Sequence, residues 1–448
     1  MAEAILFNLA SKVVEKIGSP ALREVGLAWS LEDELKTLEA RVLMIKAVLV
    51  DADQKQQQQQ GNSNLVISLW LERLEAAFYE ADNVLDEFHY EALRRKVQLM
   101  RIMNHRSIGI QKLVRIFYSC SHTLDFRFKF KMSRRIEKIR KKLEMIVDDR
   151  TKFHPIVTKD QKQTGTDHKA ASTSLSSNAN ESEFVGRDND RARMHEIIHD
   201  LAVFMANGEC LSTANYRSGS IFERVKHVSL FDCDCSGKEG VTKSLFELEN
   251  LRTILFPFQG VGAGDNQGFV NRCISKFKYL HVLDFSNSCL KVLPDSIGNL
   301  KHLRFLDLSG NANIETLPNA VCKLYNLQTL RIWNCVKIRE LPKKIGNLIS
   351  LRHLYLTTQQ SCLPEKEIQR LTSLRSFHII GCENLTYLPE EMQLLTALTT
   401  VTIAACPNLT SLPNTLQKLA NLRNLEISKC PNLNLAGWED FRGLRRLQ

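Results

Sequence analysis

A chain of 448 residues with 44% hydrophobic content can fill two or three separate cores. It holds no uninterrupted apolar run near the ~18 residues of a membrane-spanning helix. Its first residues, MAEAILFNLASKVVEKIG, have neither a basic leader nor a small-residue cleavage site, so no secretory signal is expected.

The 12 cysteines are accordingly expected as free thiols in a reducing cytoplasm or nucleus. The net charge of +10 is concentrated, since residues 101–150 hold 14 Lys and Arg against 5 Asp and Glu. No nucleic-acid-binding motif accompanies that run, which reads as a solvated helix face.

Residues 1–155 carry four apolar stripes at helical spacing. The first has Ile5, Leu9, Val13 and Ile17 and breaks at Gly18-Ser19-Pro20. The second has Leu31, Leu35, Leu38, Val42, Ile45 and Leu49, and the third Leu71, Leu74, Phe78, Ala81, Leu85 and Phe88. Ile136, Ile139, Leu143 and Ile146 mark the fourth, inside the basic run. Such stripes are buried by packing on one another, which predicts an antiparallel four-helix bundle, with the glutamine run from Gln54 as the loop between its second and third helices. Residues 156–187, rich in Ser, Thr, Asn and Ala, read as a linker.

From residue 222 a period dominates. The pattern L-x-x-L-x-L recurs at Leu280, Leu303, Leu327, Leu351, Leu374, Leu398 and Leu422, with less regular copies at Val225 and Leu251. This spacing is that of a leucine-rich-repeat α/β solenoid over 222–448, one short strand per repeat. Three residues past the last strand hydrophobe stand Asn311, Cys335, Cys382, Cys406 and Cys430, expected as structural donors to turning backbone. Leu-Pro pairs recur on the convex side. The terminal LRRLQ reads as a repeat begun at Leu444 and cut before its third hydrophobe.

Two phrases decide how the chain is classed. Trp70 to Phe88, WLERLEAAFYEADNVLDEF, resembles the third N-terminal helix of the plant intracellular immune receptors of the coiled-coil, nucleotide-binding, leucine-rich-repeat class. That helix carries their acidic EDVID motif, matched here at Val84, Leu85 and Asp86, with Asp82 and Asn83 in place of Glu and Asp. The resemblance implies that Asp82 and Asp86 dock on basic residues of the repeats, for which Arg304, Arg331 and Arg352 are candidates, and that Asn83 weakens this docking. FVGRDND, Phe184 to Asp190, resembles the start of the family's nucleotide-binding domain. MHEIIHDLA from Met194 resembles the Met-His-Asp motif near that domain's end, with Met194, His195 and Glu196 as its remnant. Residues 184–210 thus read as the joined ends of that domain. The family binds ADP or ATP, but no G-x-x-x-x-G-K-[ST] loop occurs here, so no nucleotide cofactor is expected.

HEIIH is also the zinc-protease spelling H-E-x-x-H. No third ligand follows it and no scaffold surrounds it, so neither metal nor catalysis is expected there, nor a zinc site at Cys233 and Cys235.

Residues between the strand leucines face the concave side. Arg331, Trp333, His353, Tyr355, His378 and Ile380 fall on three neighbouring strands, a composition suited to a protein-binding hot spot. The resemblance implies protein partners: a pathogen effector, a host protein under guard, or a related receptor, with self-association through the bundle. It also implies membrane contact through the first helix on receptor assembly, which here competes with plain bundle core. The expected compartment is the cytoplasm, with the nucleus and plasma-membrane periphery as further sites. The expected protein is therefore non-enzymatic, disease-resistance-like and without its own nucleotide switch, hence regulatory, a decoy or truncated. A leucine-rich scaffold unrelated to defence and a zinc hydrolase are the alternatives.

Overall fold

The computed structural model describes residues 2–20, 22–23, 26, 30–56, 64–105, 124–153, 209–212, 225–230, 245–256, 267–438 and 444–447. The linker, the FVGRDND and Met194–Glu196 phrases, and Cys233 and Cys235 lie outside the described residues, as does most of the glutamine run.

Among the described residues four long helices precede the repeats: α1 (Ala2–Ile17), α2 (Glu32–Gln56), α3 (Asn64–His105) and α4 (Leu124–Phe153). α1 ends where Gly18 and Pro20 make continuation costly. The apolar stripes are the buried faces: Leu38, Val42 and Ile45 on α2, Leu74 and Phe78 on α3, and Ile139 and Leu143 on α4 are all at most 1% exposed. Among the described residues no helix is long and apolar enough to cross a membrane.

The chain divides into two compact units, and the division is not at residue 155. The first comprises the described parts of Met1–Glu15, Asp33–Ala81 and Arg134–Gly208. Within it the Trp70 indole donates to the Ile146 carbonyl at 2.7 Å, and Arg41 pairs with Glu144 at 3.1 Å. Lys46 lies 4.3 Å from the Phe7 ring centroid. The second unit comprises the described parts of Lys16–Glu32, Asp82–Ser133 and Glu209–Gln448. The later half of α3 belongs to it because its side chains pack on the repeats. Tyr90 and Val97 form one apolar cluster with Tyr325 and Ile349. Beyond them the Arg101 guanidinium donates to Asn347 Oδ1 at 2.6 Å and to Glu367 Oε2 at 2.9 Å.

The repeats build one parallel sheet of eleven strands in sequence order. It opens with β1 (Cys210–Ser212), β2 (His227–Ser229) and β3 (Thr253–Leu255), so it begins before residue 222. After α5 (Gln267–Lys276) come β4 (Val282–Asp284), β5 (Phe305–Asp307), β6 (Thr329–Ile332) and β7 (His353–Leu356). β8 (Ser376–Ile380), β9 (Thr400–Ala404), β10 (Asn424–Ser428) and β11 (Leu444–Leu447) complete it. The period-2 pattern sends each strand leucine inward, and Leu283, Leu306, Leu330, Leu354, Phe377, Val401 and Leu425 form a ladder at most 1% exposed. The terminal strand corrects the expected register: Leu444 stands opposite Leu425, the second leucine of its repeat, and not Leu422.

The turns after β5, β6, β8, β9 and β10 are made the same way. Gly310, Asn334, Gly381, Ala405 and Lys429 take φ between 52° and 73°, reversing the chain. The next residue is the expected buried donor. Asn311 Nδ2 donates to the carbonyls of Phe285 and Leu308 at 2.7 Å, and Cys335 Sγ to that of Leu308 at 3.1 Å. On the convex side Pro294, Pro318, Pro389 and Pro413 immediately precede short 3-10 helices, their φ between −72° and −59° being what proline imposes.

Candidate functional site

The residue after the first leucine of each repeat lies just before the strand, and backbone hydrogen bonds stack these residues into one column. His281 N donates to the Arg252 carbonyl, Arg304 N to that of His281, and Gln328 N to that of Arg304, each at 2.8 Å. The column continues through Arg352, Arg375, Thr399 and Arg423, each amide 2.7–2.9 Å from the carbonyl before it.

The acidic turn of α3 sits on its first members. The helical period places Asp82 and Asp86 on one face, four residues apart. Arg252, 6% exposed, reaches across with both terminal nitrogens: Nη1 donates to Asp82 Oδ2 and Nη2 to Asn83 Oδ1, each at 2.8 Å. Asp86 Oδ1 accepts from Arg304 Nη2 and from Lys16 Nζ, both at 2.6 Å. Its Oδ2 lies 3.0 Å from His281 Nε2 and 3.7 Å from His302 Nδ1. Lys16 also bonds Asp82. Val84 and Leu85, the apolar letters of the motif, are 1% and 0% exposed.

Burial alone would raise the Asp86 carboxyl, but the hydrogen bond from His281, the His302 ring close by, and the charges of Lys16 and Arg304 hold it well below the usual carboxylate range. Burial pushes His281 down to about 4, against the pull of Asp86 and with help from Arg252 and Arg304. Asp86, His281 and His302 offer three ligand atoms within 4.8 Å of one another, a set that transition metals use. Lys16, Arg252 and Arg304 already place three positive charges around the two carboxylates, so a divalent ion would add to an uncompensated surplus. The cluster is better described as a buried ion-pair network.

Of the three arginines considered as partners of the acidic turn, Arg304 is one. Arg331 is not: it pairs with Asp307 at 3.2 Å, one strand away. Nor is Arg352, which is exposed further along the column. Arg252 and His281, absent from the sequence expectation, share with Arg304 the position after the first leucine of a repeat. Lys16 and His302 carry no such signal. Asn83 keeps an acceptor for Arg252, so the substitution removes charge without removing the hydrogen bond.

The concave residues also meet. Arg331, Tyr355 and His378 are register partners on β6, β7 and β8. The Arg331 guanidinium lies 4.9 Å from the Tyr355 ring centroid, and Tyr355 stacks on His378 at 4.2 Å with planes 5° apart. Trp333, 39% exposed, is in the next column. Thr357 stands between it and Ile380, accepting from the Asn334 amide and donating to the Ile380 carbonyl at 2.6 Å. His353 is half-buried, and burial with Arg352 and Arg375 lowers its pKa.

Residues 9–131 match the family model of the Rx N-terminal domain, and residues 264–448 that of a leucine-rich repeat region. A protein of Solanum bulbocastanum named "Putative disease resistance protein RGA1" is 48% identical over 202 residues, 45% of this chain and 17% of that protein. Disease resistance protein RGA2 of the same organism is 34% identical over 154 residues, 34% of this chain and 13% of its own length. The chain thus spans less than a fifth of the length of these relatives.

Proposed function

The chain belongs to the plant disease-resistance proteins that join an Rx-type N-terminal domain to leucine-rich repeats, and from that premise we propose that it acts in defence as a non-catalytic, protein-binding component without its own nucleotide switch. The observation that carries the reading is the buried seat of Asp82 and Asp86 on Arg252, His281 and Arg304. A helix fastened to the repeats in this way is coupled to whatever the repeats bind. The concave stack of Arg331, Tyr355 and His378, with Trp333 beside it, is the surface for a protein partner, whether a pathogen effector, a guarded host protein or a related receptor. The phosphate-cradling loop does not occur in the sequence, so regulation of a complete receptor, or a decoy role, fits this chain better than autonomous switching. Its place of action is the cytoplasm.

Native mass spectra of the purified chain test the switchless part. A bare polypeptide mass is expected. Bound adenine nucleotide would refute it, and one zinc per chain would return attention to HEIIH. Partner capture tests the rest: Arg331→Glu with Tyr355→Ala is expected to lower affinity for a captured protein at least tenfold while the protein stays folded.

A further inference from the structure

The basic column does not stop where the acidic turn of α3 ends. Its first members, Arg252, His281 and Arg304, are engaged with Asp82 and Asp86. Gln328 follows as a neutral spacer, and then Arg352, Arg375 and Arg423 are all exposed. Among the described residues no carboxylate pairs with any of these three. Their backbones continue the hydrogen-bond column that aligns Arg252 and Arg304.

We infer that Arg352, Arg375 and Arg423, with Thr399 as an uncharged member between the last two, form a second seat that docks an acidic helix of a protein partner. The occupied half of the column supplies the template: a single helical turn, with carboxylates four residues apart, satisfies three successive column members. Neighbouring parallel strands are about 4.8 Å apart, and a helix rises about 6 Å in four residues. The difference of about 1 Å per step is within the reach of a flexible arginine side chain, so carboxylates one turn apart meet neighbouring column members. Arg352 and Arg423 are three strands apart, about 14 Å, which about ten helical residues span. Exposed guanidiniums with no carboxylate partner among the described residues are free to take carboxylates from outside. A single-stranded nucleic acid is a poorer fit. The strand residues following Arg352, Arg375 and Arg423 are His353, Ser376 and Asn424, of which only His353 offers a base a ring to stack on. The inference stands on the geometry of the column and does not depend on the defence reading.

The test uses the full chain and a fluorescein-labelled helical peptide of about 14 residues, with Glu at its first, fifth and twelfth positions, followed by fluorescence anisotropy. The wild type is expected to bind it in a salt-sensitive manner, and the same peptide with Gln at those positions at least tenfold more weakly. The triple variant Arg352→Glu, Arg375→Glu, Arg423→Glu is expected to lose at least tenfold, and the milder Arg→Gln triple to lose part of that. Lys343→Glu with Lys344→Glu, on the convex side, should change affinity less than twofold. Circular dichroism of the triple variants should match the wild type, since all three side chains are exposed. The inference is overturned if the charge-reversed triple binds the peptide as the wild type does. It also fails if the Gln peptide binds equally, or if a single-stranded RNA of similar length binds the arginines more tightly than the peptide.

Discussion

Asp86 is held by Lys16, His281 and Arg304 while only 3% exposed, so its charge is tolerable only because every partner is in place. Removing one side of such a pair strands the other in a medium that solvates it badly. Arg252→Ala is therefore expected to cost roughly 3–5 kcal/mol, read as a lower urea midpoint. Arg252→Lys should recover little, because a single ammonium does not reproduce the two parallel bonds to Asp82 and Asn83. Acid acts in the same direction. The folded His281 pKa of about 4 lies below the ~6.5 of an unfolded histidine, so the unfolded chain binds more protons between those values and stability falls as pH drops from 6.5 to 4. The Asp86 contribution is lost only below about 4, the ordinary carboxylate value, as pH falls through its depressed folded pKa. Melting temperatures measured from pH 7 to pH 4 should decline, and His281→Gln should flatten that decline.

Elements are set by turns as much as by leucines. The residue that reverses the chain after β8, β9 and β10 is left-handed whether it is Gly381, Ala405 or Lys429. A side chain there costs on the order of 1 kcal/mol. Ala405→Gly is consequently expected to stabilise the repeats by up to about 1 kcal/mol, and Gly381→Ala to destabilise them by about as much, both measurable by thermal unfolding. Gly346 is a different case. A Cβ there would lie 2.5 Å from the Glu367 carbonyl and 3.0 Å from Arg370 Cβ, where adjacent convex segments touch. Gly346→Ala should cost about 1–3 kcal/mol by forcing those segments apart. α3 shows how an element can exceed its motif: the stripe ending at Phe88 marks one buried face, but the helix runs on to His105 because Tyr90, Val97 and Arg101 find partners on the repeats.

At the scale of the second unit, α3 from Asp82 onward is bound in two places, by the ion pairs at its start and by the Tyr90 and Arg101 contacts further on. Repeats contact mainly their neighbours, so the sheet does not depend on that helix for its own strand pairing. Tyr90→Ala with Arg101→Ala is expected to speed hydrogen exchange over residues 90–105 by at least tenfold. Amides of β4 to β10 should remain protected. Equal loss of protection in both regions would show that helix and sheet unfold as one.

Composition, period and motif alone identified the helical stripes, the repeat, the concave Arg331–Tyr355–His378 column and the acidic turn. All but the acidic turn, which a family resemblance singled out, are written in local spacing: 3.6 for a helix, 2 for a strand, about 24 for the solenoid. The partners of the acidic turn were only partly legible. Arg252 and His281 share a column with Arg304, yet nothing in the spacing says which members of a column a distant helix will meet. Lys16, 66 residues before Asp82 in a different helix, and His302 could not be read from pattern at all. The register of β11 and the allegiance of Asp82–Ser133 to the repeats were likewise decided in three dimensions. Periodicity determines which face of an element is buried. What that face is buried against depends on complementarity of shape and charge between segments remote in the chain, and that exists only once the chain has folded.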